Sequence, residues 1–191
     1  MPDSMFEYDY WLAFDDKGVE LIPNGLGGGS STELDFNVQM SYVKMNHVPK
    51  SLTIIPAKIS SSGGDGTTTW EGKKAQKISK TIDGVYPIEL PQGKVGKLII
   101  QDIKSENNQT TVTFNAEGIA PYTQGESLYI EDEQGEMIEV IVNKMIKDEQ
   151  KPNEFTMVFE ALEANKKYRI VTYDFGQMEI REDLKFTIDL R

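Results

Sequence analysis

The residues able to do chemistry in this chain are carboxylates above all. Asp15 and Asp16 stand before a lysine and a glycine in DDKG, and Glu131, Asp132 and Glu133 lead EDEQG. Carboxylate oxygens on a turn can serve calcium. A calcium site needs about six to eight oxygens at set spacing, and no D-x-D-x-D-G loop occurs. The plainer role is turn-making, since hairpin turns select Asp and Gly. Paired carboxylates also hydrolyse glycosides. With 31 acidic residues some pair falls close by accident, so pairing singles out no catalytic residue.

The other reactive types are sparse. His47, in KMNHVPK, is the one histidine, and there is no cysteine. A multi-histidine or cysteine metal site is therefore excluded, as are disulfides and thiolate catalysis. A Ser–His–Asp triad is arithmetically open, but no G-x-S-x-G elbow supports it. The glycine stretch GLGGGSS (25–31) precedes a strand pattern rather than a helix, and the Walker lysine is missing, so it reads as a loop rather than a phosphate cradle. Asn108-Gln109-Thr110 fits a glycosylation acceptor and equally the turn of a hairpin. The sequence thus names no catalytic residue, no metal ligand and no cofactor. What it offers as a possible binding surface is Trp11, on the polar-alternating face of its strand, and Trp70, in the long polar insertion GGDGTTTWEGKK (63–74). An aromatic on such a loop is either a binding anchor or a lid folded back on the core.

Charge narrows the partners. The net charge is −11 and the pI about 4.6. That sign repels phosphate backbones and anionic lipid, so nucleic acid is not an expected partner. No apolar run approaches the roughly 18 residues of a membrane span. The opening MPDSMFEYDYW lacks the basic and apolar regions of a signal peptide.

The elements that must position these residues are strands. Phe6, Tyr8, Tyr10, Leu12 and Phe14 alternate with Glu7, Asp9, Trp11 and Ala13, and Leu34, Phe36, Val38 and Met40 alternate with polar residues. This is a period of two. KLIIQDI, TTVTFNA, SLYI, EFTMVFEAL, KYRIVTYDF and LKFTIDL continue it, separated by turn formers. MIEVIVNKMIKDE fits helix or strand; its β-branched residues favour strand. The chain reads as all-β.

It also reads as written twice. WLAFDD matches SLYIED with Leu12 over Leu128 and Phe14 over Ile130. ELDFNV matches EFTMVF, with Leu34 over Phe155, Phe36 over Met157 and Val38 over Phe159. KSLTII matches KKYRIV, with Leu52 over Tyr168 and Ile54 over Ile170. YPIEL matches FTIDL, with Tyr86 over Phe186 and Ile88 over Ile188. A slip of one residue would turn a core face outward, so a phase kept in four strands carries information. The expected architecture is two tandem immunoglobulin-like or fibronectin-like β-sandwich domains, 1–93 and 94–191. Tyr168 fits the tyrosine corner of such sandwiches, where a hydroxyl bonds to upstream backbone, or an ordinary buried tyrosine. The second copy has an extra hairpin, KLIIQDIKSENNQTTVTFNAEG, that the first lacks. The first is short of the about seven strands of a sandwich. Its open edge is explained by a parent chain continuing upstream, by cover from the 57–85 segment, or by a second chain.

WLAFDDKGVEL, the variable glycine loop and VPKSLTIIPAKI together resemble a module of unknown function in Gram-positive bacteria. The module is the extracytoplasmic part of single-pass, anti-sigma-factor-like membrane proteins, and the match covers mainly residues 8–92. The resemblance implies a non-enzymatic sensing or interaction role in the cell envelope, with a protein or envelope partner and possible linkage to sigma-factor regulation. The anchor would lie in a segment absent from this chain. It carries no catalytic residue across. The alternatives are an adhesion or carbohydrate- or cell-wall-binding module using Trp11 or Trp70, and a carboxylate-dependent hydrolase.

Overall fold

The structure is a computed structural model, and it describes residues 10–24, 28–31, 36–45, 47–59, 76–141, 145–147, 150–175 and 178–190. Trp70, Phe6, Tyr8 and Leu34 lie outside the described residues. The expectation of an all-β chain holds. Fourteen strands and one five-residue helix are described, and every strand pairing is antiparallel.

The first alternating run forms β1 (Tyr10–Asp15), which pairs with β4 (Ser51–Ile59). Between them a small hairpin joins β2 (Gly28–Ser31) to β3 (Phe36–Gln39). Then follow β5 (Gln76–Thr81), β6 (Ile88–Pro91), β7 (Gly96–Glu106) and β8 (Gln109–Gly118). The helix α1 (Pro121–Gly125) leads to β9 (Tyr129–Asp132). The short β10 (Ile146–Lys147), β11 (Glu154–Glu160) and β12 (Tyr168–Asp174) come next. The chain closes with β13 (Met178–Ile180) and β14 (Phe186–Asp189).

Two sheets face each other over the largest core. One has the order β10-β11-β8-β7-β6 and the other β5-β12-β9. Alternation supplies the filling: Leu98 and Ile100 from β7, Val112 and Phe114 from β8, Phe155 and Phe159 from β11, and Ile130 and Ile170 from the facing sheet. Most of these are fully buried, each worth about 1.5–3 kcal/mol against exposure. The phase of β7 changes at a bulge between Ile100 and Asp102, which returns Ile103 to the core beside Val112. Asn107 and Asn108 take positive φ at the β7–β8 turn (52° and 61°). That is the primed hairpin geometry Asn tolerates.

The expected division at 93 does not coincide with the sheets. Residue 93 begins the tight turn Gly93–Val95, which joins two hydrogen-bonded neighbours, β6 and β7. More telling is what flanks the strand pairs β1–β4 and β9–β12. β5, which follows β4 in sequence, pairs with β12. β13 and β14, which follow β12, both pair with β4. Each half therefore completes the other half's sheet, by a reciprocal exchange of the following strands. The physical reason is edge satisfaction: β4 and β12 each expose a row of backbone donors and acceptors beyond their first partner. Strands from the opposite half fill both rows.

The tyrosine corner is present. The Tyr168 hydroxyl accepts a hydrogen bond from the backbone N–H of Glu163 at 3.0 Å, and its ring joins the large core. In the other half Leu52 stands at the same register position, since Leu52 pairs with Asp15 as Tyr168 pairs with Asp132. The run MIEVIVNKMIKDE gives bridges from Met137 to Glu131 and from Val140 to Phe159, then β10, so it is extended where described.

Candidate binding cleft

Both acidic turns use one aspartate in one way. Asp15 Oδ1 accepts the backbone N–H groups of Lys17 (2.9 Å) and Val19 (2.8 Å). Asp132 Oδ1 accepts those of Gln134 (2.9 Å) and Glu136 (2.9 Å). In each, a glycine three residues on takes positive φ, 76° at Gly18 and 85° at Gly135, where L-residues with a Cβ are disfavoured. The equivalence sets Asp15 over Asp132 and Ala13 over Ile130, whose carbonyls accept from Leu21 and Ile138 in turn. This corrects the sequence alignment of the first strand by one residue. Phe14 stands over Glu131 rather than over Ile130. The alignment of Ile54 with Ile170 is kept, because Ala13 pairs with Ile54 as Ile130 pairs with Ile170.

Around the first turn lies a cleft of about 510 Å³, within the about 300–1,000 Å³ usual for small-molecule sites. Its apolar lining includes Leu21, Ile22, Val43, Met45, Met145 and Ile146. Its polar lining includes Asp15, Lys17, Glu20, Lys44, His47 and Lys147. The turn DDKG presents Asp15 and Lys17, the returning segment presents Glu20, and the short β10 presents Lys147.

Glu20 is 6% exposed. Its Oε2 accepts the backbone N–H of Tyr122 (2.7 Å), and its Oε1 the Thr123 hydroxyl (3.0 Å). Burial pushes its carboxyl up to about 7, against these two hydrogen bonds and the charge of Lys147, which pull it down. Glu20 thereby ties the first hairpin to α1 across about a hundred residues of chain. Lys147 donates to the Glu20 carbonyl at 2.8 Å, and its ammonium lies 5.9 Å from the Phe155 ring centre. Burial lowers its pKa, while Glu20 and Asp15 hold it up. Asp15 Oδ2 is buried and has no hydrogen-bond partner. It lies 3.2 Å from Nε2 of His47, an ion-pair distance reached without hydrogen-bond alignment.

The second turn borders a different groove, lined by Lys77, Glu131, Asp132, Lys167 and Arg169 among others. There the buried Glu131 is paired with the Lys77 ammonium. On the same outer face of the sheet Tyr129 and Tyr173 stack at 5.8 Å with hydroxyls 2.9 Å apart.

Of the residues expected as a binding surface, Trp11 is half-buried. It packs with Met40, Tyr42, Met45 and Leu52 against the cluster of Ala13, Leu21 and Ile54. It therefore backs the cleft through Leu21 and Met45 without lining it. Asp16 is engaged elsewhere, accepting the N–H of Lys50 at 3.0 Å, which lowers its pKa. Among the described residues no group of three or more His, Cys, Asp or Glu is arranged to hold a metal, and no described helix is long and apolar enough to cross a membrane. Sequence reasoning missed Glu20 and Lys147. The signal for Glu20 was available: a lone acid between Val19 and Leu21, directly after the turn. Lys147 carried none, because its role depends on a contact 127 residues away. Comparison with protein-family models, with curated proteins and with solved structures finds no match to this chain.

Proposed function

We propose that the chain is a non-enzymatic binding module of a bacterial envelope protein, working outside the membrane and receiving a ligand or partner segment in the cleft at the first acidic turn. One observation carries the binding role. An apolar cleft is met by a few converging polar groups, Asp15, His47 and Lys147, the usual composition of a small-molecule site. The extracytoplasmic setting and its link to sigma-factor regulation rest on the resemblance of WLAFDDKGVEL and VPKSLTIIPAKI to the Gram-positive module.

Two measurements test the two parts. A neutral apolar dye such as Nile red is expected to gain fluorescence with the protein and to lose that gain in Val43→Arg, which puts a charge at the rim. Equal gain with the variant would remove the cleft from the proposal. For the setting, protease added to intact cells of the source organism is expected to digest the protein. Protection until lysis would count decisively against an external location.

A further inference from the structure

We infer that the cleft at the first acidic turn selects anions carried on an apolar body, with Lys147 as the principal charge recognising them; this rests on the binding role proposed above. The chain as a whole is strongly acidic, with a net charge of −11, so a locally cationic cleft runs against its composition. The two carboxylates of the cleft are buried, and three of their four oxygens accept hydrogen bonds. Glu20 spends both oxygens on Tyr122 and Thr123. Asp15 spends Oδ1 on its own turn, and its Oδ2 is buried beneath His47. Both residues are at most 6% exposed. Lys17 and Lys44 are exposed at the rim, and Lys147 is half-buried inside. The charges of the lining that reach solvent are therefore positive.

Lys147 is the best placed of these. Its ammonium has three donors, of which one is used on the Glu20 carbonyl. It sits among Met145, Ile146 and Ile22 of the same lining, where partial removal from water strengthens an ion pair relative to one on the open surface. The apolar walls supply the second half of the recognition. A ligand bearing a single carboxylate on an alkyl chain satisfies both.

The experiment uses the whole chain and four probes below their micelle-forming concentrations: decanoate, decanol, decylammonium and acetate. The readout is the methyl resonances of Met45 and Met145, which both line the cleft. Decanoate is expected to shift both, with decanol and decylammonium at least tenfold weaker and acetate inactive. Lys147→Met is expected to weaken decanoate at least tenfold, and Lys147→Arg to restore it within about threefold, with circular dichroism confirming that both variants fold. Equal binding of decanol would overturn the charge selection and leave the apolar cleft standing. Tighter binding of decylammonium would show that Asp15 and Glu20 rule the cleft and would overturn the inference. No shift with any probe would take the binding role down with it.

Discussion

The two strand pairs, β1–β4 and β9–β12, carry the same turn after their first strand and are placed in different company. Each turn folds over an aspartate that accepts two backbone N–H groups, and each has its glycine at the same offset. Beyond the turn they diverge. The first aspartate is 3% exposed and lies under His47 beside an apolar cleft. The second is part-exposed, beside a groove of charged side chains. The first pair has Leu52 where the second has the hydroxyl of Tyr168 holding the chain upstream. A turn is thus determined by local hydrogen-bond geometry, whereas the chemistry beside it is determined by which distant segment arrives. In the first half that segment is β10 with Lys147, and in the second it is β5 with Lys77.

The comparison breaks hardest if the halves are separated. Because β5 completes the sheet of β12, and β13 and β14 complete that of β4, fragments 1–93 and 94–191 each lose strands. Neither is expected to show a cooperative unfolding transition alone, whereas mixing them is expected to restore strand content by circular dichroism. A fragment 94–191 that melts cooperatively by itself would make the exchange an accessory. Next in size is the pair Asp15→Ala and Asp132→Ala. Each removes an acceptor of two backbone N–H groups. In urea unfolding the first is expected to cost on the order of 2 kcal/mol and the second about 1, since the hydrogen bonds of the first are partly buried and those of the second exposed. Equal losses would mean that the surroundings do not matter to the turn.

Glu20 sharpens the contrast further, because its counterpart at the second turn is the exposed, apolar Met137. Its carboxyl is raised from 4.5 to about 7 on folding. Between those values the native state holds the proton and the unfolded state does not, so this group's contribution to stability falls as pH rises through that window. Glu20→Gln removes the titration. The stability difference between variant and parent is expected to move in the variant's favour by on the order of 2 kcal/mol from pH 4.5 to pH 8. A difference that does not vary with pH would put Glu20 in water-like surroundings. The smallest effect is that of Tyr168→Phe, which leaves the Glu163 N–H without its acceptor at a cost of about 1 kcal/mol. Leu52→Phe, at the matching place without a corner, is expected to leave the upstream amide's hydrogen exchange unchanged.

What could be read in the chain beforehand follows the same line between local and distant causes. Alternation exposed the strands of residues 97–116 and 154–174, because a half-buried strand writes its core face into every second residue. The turn DDKG and its partner EDEQG were visible as a repeat. The likeness of Leu12 and Leu128 draws their register one residue off. The better guide was the D-x-x-G spacing, which places Asp15 over Asp132 and Gly18 over Gly135. The exchange of strands could not be read, since β5, with the sequence QKISKT, has an exposed polar pattern that suits any open edge. The cleft was hidden for the same reason: His47, Glu20 and Lys147 meet only through pairings between remote segments.

The arrangement around β4 has a mechanical consequence. β1 and β14 flank the same central strand and run parallel to each other, each antiparallel to β4. Tyr10 enters beside Ala57 and Asp189 leaves beside Ser51, at opposite ends of that strand. Tension applied between residues 10 and 189 would slide the three strands lengthwise. The rungs of both ladders would then bear the load together instead of unzipping one by one.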